Sequence, residues 1–172
     1  MKIGVISDSH DNLENLKRVL DDAKQKDVQV ICHCGDIVAP FVYFEVLKNY
    51  TDSFKFYMVF GNNDGEKAMW TQISKDDPRV DMALGDFREL QIGDKKIFMT
   101  HYPEIAELAF LSKKYDAVFY GHTHKYKLEE QDGRVLLNPG EILAKRTGIL
   151  SYAIYDTKLA KAEIFKLSVP EL

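Results

Sequence analysis

Apolar residues occur along this chain in short runs parted by polar loops, and the runs switch between a strand period and a helix period. Lys2 to Ser7 is a mostly apolar run; Asp8-Ser9-His10-Asp11-Asn12 follows, and then Leu13, Leu16, Leu20 and Ala23 recur at helical spacing. The order repeats at once. Val28 to Cys32 reads as a strand, Gly35-Asp36 ends it, and Pro40 opens a helix with Phe44, Val46 and Leu47 facing inward. A third strand, Phe54 to Phe60, runs into Gly61-Asn62-Asn63-Asp64. Strands alternating with helices predict parallel pairing through right-handed crossovers, with ligands collecting outside the carboxyl ends of the strands.

Further along, the polar stretch around Lys75-Asp76-Asp77-Pro78 predicts a short helix and a mobile loop. Phe87 to Ile92 and Lys95 to Thr100 flank Gly93-Asp94 as a hairpin whose second arm delivers His101. Pro103 to Lys114 offers Ile105, Leu108, Ala109 and Leu111 as a helical face, and Ala117 to Tyr120 is another buried strand. Two more hairpins follow: Lys127 to Gln131 with Arg134 to Leu137 around Asp132-Gly133, and Ser151 to Tyr155 with Ala162 to Leu167 around Asp156-Thr157. This antiparallel C-terminal part implies two sheets. No repeat, low-complexity tract or linker divides the chain, so a single domain over 1–172 is expected.

Composition adds limits. A hydrophobic fraction of 45% and a charged fraction of 29% fit a globular protein, and no apolar run approaches the roughly 20 residues that span a bilayer. The start Met1 to Ile6 reads as a strand rather than a signal peptide, so a cytoplasmic location is expected. Cys32 and Cys34 share one strand face, with His33 on the other, and read as two core thiols of a reducing compartment. A net charge of −4 gives no basic footprint for nucleic acid.

The chemistry lies in the loops. Gly121-His122-Thr123-His124 follows a buried run, and two imidazoles one residue apart can aim two nitrogens at a single point, with Gly121 permitting a sharp turn. A solvated loop would carry the same letters. The wider pattern changes the picture: Asp8, His10, Asp36, Asn62 and His101 also sit just after apolar runs, and four of the five histidines fall in these loops. If the loops converge, Asp8, His10, Asp36, Asn62, His101, His122 and His124 supply too many mixed oxygen and nitrogen donors for one tetrahedral zinc. They suit two divalent ions with a bridging carboxylate. The absence of thiolate points toward manganese, iron, nickel or catalytic zinc, and the expected reaction is metal-assisted phosphoester hydrolysis.

In order and placement, Asp8-Ser9-His10, Gly35-Asp36, Gly61-Asn62-Asn63-Asp64, His101 and Gly121-His122-Thr123-His124 resemble the calcineurin-like metallophosphoesterase superfamily. The short length and the endings His33-Cys34-Gly35-Asp36 and Asn138-Pro139-Gly140-Glu141 are similar to its small phosphodiesterase branch of bacteria and archaea. The resemblance implies an α/β (α+β) fold in four layers, α/β/β/α: a β-sandwich of two mixed sheets flanked by helices, similar to the small retromer subunit of eukaryotes. It implies one metal held by Asp8, His10, Asp36 and His124, and a second by Asp36, Asn62, His101 and His122. The metals expected are manganese or nickel, with iron, zinc, cobalt or magnesium as alternatives. The activity implied is hydrolysis of a small phosphodiester by metal-activated hydroxide, with Asp36, Asn63 and His10 as candidate catalytic residues and Asp64 holding the loop backbone.

Three positions depart from the family pattern. Asn63 stands where a histidine usually protonates the leaving oxygen, and asparagine cannot transfer that proton. His33 is then open as an alternative acid or as a core histidine. Glu141, where many relatives of the branch carry serine, and Tyr102-Pro103, where glycine often follows the histidine, bear on substrate choice. Tyr102, Tyr126 and Trp70 are open as cleft-lining or packing residues. A phosphomonoesterase or nucleotidase on the same site, and a non-catalytic protein-binding scaffold, are the alternatives. A homodimer is possible; a membrane or nucleic-acid partner is not expected.

Overall fold

In the computed structural model, which describes residues 1–169, the first half of the chain is β1 (Lys2–Ile6), α1 (Leu13–Gln25), β2 (Val30–His33), α2 (Phe41–Glu45), a 3-10 turn at Leu47–Tyr50, β3 (Lys55–Met58), α3 (Lys67–Asp76) and β4 (Val80–Met82). The second half is β5 (Phe87–Ile92), β6 (Lys95–Thr100), α4 (Pro103–Leu111), β7 (Ala117–Phe119), β8 (Lys127–Gln131), β9 (Arg134–Asn138), β10 (Leu150–Asp156) and β11 (Lys161–Leu167). The predicted parallel unit is present: β1 to β4 pair in parallel, with Val5 opposite Cys32 and Cys32 opposite Tyr57. Parallel neighbours need crossovers, and α1 starts where Asn12 caps it by accepting the Asn15 N–H at 3.0 Å.

The C-terminal hairpins do not form a sheet of their own. The β10–β11 hairpin adds antiparallel to the free edge of β1, giving the order β11-β10-β1-β2-β3-β4. The β8–β9 hairpin joins the other sheet, β5-β6-β7-β9-β8, where β9 runs parallel to β7. Asp132 (φ 53°) and Gly133 (φ 73°) give β8–β9 the two left-handed residues that a tight hairpin turn needs. Thus two mixed sheets face one another across an apolar layer that includes Val5, Cys32, Cys34, Met99, Phe119 and Tyr155. Leu16, Val19, Leu20 and Ala23 of α1, with α2 and α3, cover the outer face of the six-stranded sheet, and α4 covers the other. The four-layer α/β/β/α order follows from alternation along the strands, since successive residues point to opposite faces. Among the described residues no helix is long and apolar enough to cross a membrane.

Several helical details differ from expectation. On α4 the buried positions are Ala106, Ala109 and Phe110, while Leu108 and Leu111 are 70% and 71% exposed. Apart from the exposed Glu104 and Glu107 the helix is apolar, so periodicity set its phase poorly; two alanines allow close approach to the sheet and Phe110 fills the remaining space. Val46 and Leu47 are buried as expected, but Phe44 is 53% exposed: α2 is one short turn, and it is Val42 and Tyr43 that it turns inward. The region around Lys75 to Pro78 is the end of a longer helix leading to strand β4, and Trp70 on that helix is fully buried, far from a cleft-lining role.

Candidate metal centre

All the predicted ligands lie at one end of the sandwich, beyond the carboxyl ends of β1, β2, β3, β6 and β7. Backbone bonds stitch these loops together: Asp8 N to Gly35 O, His10 N to Asp36 O, Gly121 N to His101 O and Leu143 N to Asp8 O, at 3.0–3.2 Å. Asp8, His10, Asp36, His122 and His124 all have left-handed backbones, with φ of 53°, 42°, 57°, 71° and 60°. Asp and His are among the residues that tolerate this region, and its clustering here marks a built site. Gly35, at φ +94°, is required by conformation. Gly121 does not have a positive φ; it is required because a Cβ there would strike Ser7 Oγ and Asp8 Oδ2.

The side chains form two clusters. In the first, His124 Nε2 is 3.4 Å from Asp8 Oδ1, and His10 Nε2 is 3.4 Å from Asp36 Oδ2 and 3.9 Å from Asp8 Oδ1. In the second, His101 Nε2 is 3.1 Å from Asn62 Oδ1, 3.2 Å from His122 Nδ1 and 3.5 Å from Asp36 Oδ2. His122 and His124 therefore do not aim at one point as their spacing suggested. With both backbones left-handed, the rings diverge, one into each cluster.

The tautomers show what these atoms need. The Glu141 carboxylate accepts at 2.7 Å from His124 Nδ1, and the Cys34 carbonyl accepts at 2.8 Å from His101 Nδ1. In the neutral rings the N–H is spent there, so each Nε2 is free to offer a lone pair among carboxylate and amide oxygens. Asp8 Oδ1 and His10 Nε2 are buried without any hydrogen-bond partner. Acceptors facing acceptors in a buried pocket are costly unless a cation sits among them. Asp8, His10 and His124 can converge on an ion, as can Asp8, Asp36 and His101. The residues present therefore fit divalent metal ions.

The electrostatics agree. Burial would raise the Asp36 carboxyl, but His101 and two Asn63 donors hold it well below the usual carboxylate range. Those donors are Asn63 N to Oδ1 at 2.8 Å and Asn63 Nδ2 to Oδ2 at 2.7 Å, so Asn63 fixes Asp36. His10 is pushed up, first by the Asp8 carboxylate against burial, with Asp36 adding and Arg146 opposing; at 3.9 Å Asp8 acts as a charge. Burial lowers His101, but Asp36 and Asp8 bring it above its ordinary value. Asp64 holds backbone, accepting from the N–H groups of Asp36, Gly61 and Val38 at 2.6–2.9 Å.

His33 is a core histidine. Its Nδ1 accepts the Gly35 N–H at 3.2 Å, which leaves Nε2–H to donate to Ser9 Oγ at 3.1 Å, and burial pushes its pKa down to about 3. Sequence reasoning linked Glu141 to substrate choice and missed its support of the centre. It is fully buried, and besides His124 it accepts from Arg146 N at 3.1 Å, Thr147 N at 2.6 Å and Thr147 Oγ1 at 2.7 Å. The available signal was an acid next to the apolar pair Ile142-Leu143. Asn138 was likewise unassigned; it donates to Gly121 O at 2.8 Å and Thr123 Oγ1 at 3.0 Å, steadying the loop that carries His122 and His124.

Comparison with known proteins bears on this geometry. Residues 1–159 match the calcineurin-like phosphoesterase superfamily domain. A phosphodiesterase of Methanocaldococcus jannaschii is 37% identical over 161 residues, covering 92% of this chain and 94% of that protein. A probable metallophosphoesterase of Methanothermobacter thermautotrophicus is 29% identical over 178 residues, covering 99% and 95%. The solved structure of an archaeal phosphodiesterase superposes with a TM-score of 0.85 at 34% identity, over 97% of this chain and 100% of the other. Vacuolar Protein Sorting 29 from Cryptosporidium parvum shares the fold, with a TM-score of 0.65 at 21% identity, covering 99% and 98%.

Proposed function

The chain belongs to the calcineurin-like phosphoesterase superfamily and is a metal-dependent phosphoesterase, and from that premise we propose that it is a dinuclear phosphodiesterase acting on a small diester with an acidic leaving group. One observation carries the dinuclear reading: Asp36 Oδ2 stands 3.4 Å from His10 Nε2 and 3.5 Å from His101 Nε2, so one carboxylate borders both clusters. Asp8, His10, Asp36 and His124 would hold one ion, and Asp36, Asn62, His101 and His122 the other. Two divalent ions, with manganese or nickel suited to this nitrogen and oxygen set, would supply Lewis-acid charge to the phosphoryl group and would lower the pKa of an attacking water.

The chain's own groups set the rest of the chemistry. Asn63 orients Asp36 through both of its oxygens. Glu141 and the Cys34 carbonyl fix which nitrogens of His124 and His101 face the ions. Neither Asn63, which has no transferable proton, nor His33, whose Nε2–H is committed to Ser9, protonates the leaving oxygen. Departure without that proton favours an acidic alcohol or phenol over a simple alkyl alcohol. The diester homologue at 37% identity supports the diester over the monoester. The family match over residues 1–159 supports one catalytic domain, and two free buried thiols are in keeping with the cytoplasm.

The test uses chelator-treated protein with single divalent metals returned. Turnover of bis(p-nitrophenyl) phosphate should exceed that of p-nitrophenyl phosphate and reach its maximum near two ions per chain. Saturation at one ion, or faster cleavage of the monoester, would refute the proposal.

A further inference from the structure

Beside the first cluster lies an open groove of about 490 Å³ lined by His124, Lys125, Tyr126, Arg146, Thr147 and Ile149. His124 reaches the groove from the metal centre, so a phosphoryl group held there would have one ester arm within reach of it. The groove has two cations. Both Lys125 and Arg146 are exposed, and among the described residues neither has a carboxylate partner within salt-bridge distance. Arg146 stands out among the arginines. Arg18, Arg79, Arg88 and Arg134 each donate to a named acceptor, whereas no hydrogen bond from the Arg146 guanidinium is found among the described residues.

The groove is also fixed in shape. Glu141 accepts the backbone N–H groups of Arg146 and Thr147 with one oxygen and binds His124 with the other, so the loop bearing Arg146 and the metal-facing imidazole are held by one buried carboxylate. On the opposite side, Lys166 Nζ donates to the Tyr126 hydroxyl at 2.8 Å and sits 4.2 Å over its ring. A guanidinium without a partner, on a loop tied to a buried carboxylate in a chain of net charge −4, is a recognition element for a planar or tetrahedral anion.

We propose that this groove selects phosphodiesters whose arm over His124 carries a second anionic group, a phosphate or a carboxylate, bound by Arg146 and Lys125. The inference rests on the phosphodiesterase reading above and adds a substrate class to it. It is tested with three diesters that share the p-nitrophenyl leaving group and differ only in the other arm: phenyl, 4-carboxyphenyl and 4-phosphonophenyl. At low salt and saturating metal, kcat/KM for at least one charged arm should exceed that for phenyl by roughly tenfold, chiefly through KM. Whichever charged arm shows the larger ratio identifies the anion as phosphate-like or carboxylate.

The Arg146→Ala variant should bring that ratio to about one, and Lys125→Ala should lower it. Because the readout is a ratio of two substrates on one preparation, any loss of folded enzyme cancels. Equal or slower cleavage of both charged diesters by the unaltered protein would overturn the inference while leaving the phosphodiesterase intact, as would a preference that survives Arg146→Ala. Absence of metal-dependent turnover on all three diesters would instead overturn the phosphodiesterase reading, and this inference with it.

Discussion

Replacing Glu141 by glutamine changes one atom and forces a choice that the surrounding hydrogen bonds decide. The carboxylate is fully buried and accepts four donors, three from Arg146 and Thr147 on Oε1 and one from His124 Nδ1 on Oε2. A glutamine amide can accept on one side only. If its NH2 faces the loop, the two backbone N–H groups of Arg146 and Thr147, both partly buried, lose their acceptor and the Thr147 hydroxyl must turn away; if it faces His124, a single contact becomes donor against donor. At about 1–3 kcal/mol for each unsatisfied buried group, the amide keeps its oxygen on the loop. His124 must then accept at Nδ1 and carry its proton on Nε2, the nitrogen that stands 3.4 Å from Asp8 Oδ1. The fold survives and the ligand is lost. Glu141→Gln should therefore melt within a few degrees of the unaltered protein without metal, yet bind the ion proposed for the Asp8, His10 and His124 cluster about 10–100-fold more weakly, the range typical for losing such a support. That is roughly 1.4–2.8 kcal/mol at the usual conversion. Calorimetric titration of metal into chelator-treated protein, beside thermal melts, separates these effects. Wild-type affinity at both sites with normal turnover would show that His124 does not need Glu141 and would refute the tautomer argument.

Asp36→Ala removes a carboxylate that borders both clusters, and both bound metal and diester turnover should fall below detection; normal metal content by elemental analysis would defeat the bridging assignment. Asn63→His should leave metal content unchanged while raising cleavage of an alkyl relative to an aryl ester, because it restores a transferable proton; an unchanged ratio would show that leaving-group protonation is not limiting. In the metal-free protein, the raised pKa values of His10 and His101 contribute stability that is present below pH 6.5 and lost as pH rises through those values. The depressed pKa of His33, about 3, acts in the opposite sense, with stability present above pH 6.5 and lost as pH falls. Melting temperature without metal should accordingly peak near pH 6.5, and saturating metal should abolish the alkaline decline; a metal-free profile rising steadily from pH 5.5 to 8 would contradict the assignment.

The strands that position the site were legible because alternation and loop chemistry agreed. The hairpin arms Phe87–Ile92 and Lys95–Thr100 have the predicted bounds, and the runs ending at Asp8, Asp36 and His101 lead into the centre as expected. Illegible features share a physical cause: they depend on partners distant in sequence. Helix α4 has apolar residues on every side, and only contact with Phe98, Val118 and Leu136 selects Ala106, Ala109 and Phe110. Strand β4 has three residues and owes its existence to pairing with β3. Glu141 meets His124, 17 positions earlier, through a turn that no local pattern specifies.

The His-x-His pair shows the limit of spacing most clearly. In an extended strand the two rings would share one face, about 7 Å apart, and the simplest expectation is a shared target. Both histidines instead take left-handed backbones, and Asp8 fixes that path by accepting the His122 N–H at 3.1 Å. Their rings part, His122 toward Asn62 and His101, His124 toward Asp8 and Glu141. A left-handed non-glycine residue costs of order 1 kcal/mol or more, and five of the candidate ligands have one. Such a concentration persists only where the surroundings over-determine it, here through the backbone bonds that tie the β1, β2, β6 and β7 loops together. An ion held among the facing acceptors would relieve repulsion that the polypeptide alone leaves in place, so metal affinity and loop stability are one linked quantity. On this account the ends of the parallel strands, the left-handed turns and the Glu141 support form one device, since the strain in each is tolerated only because the others hold it.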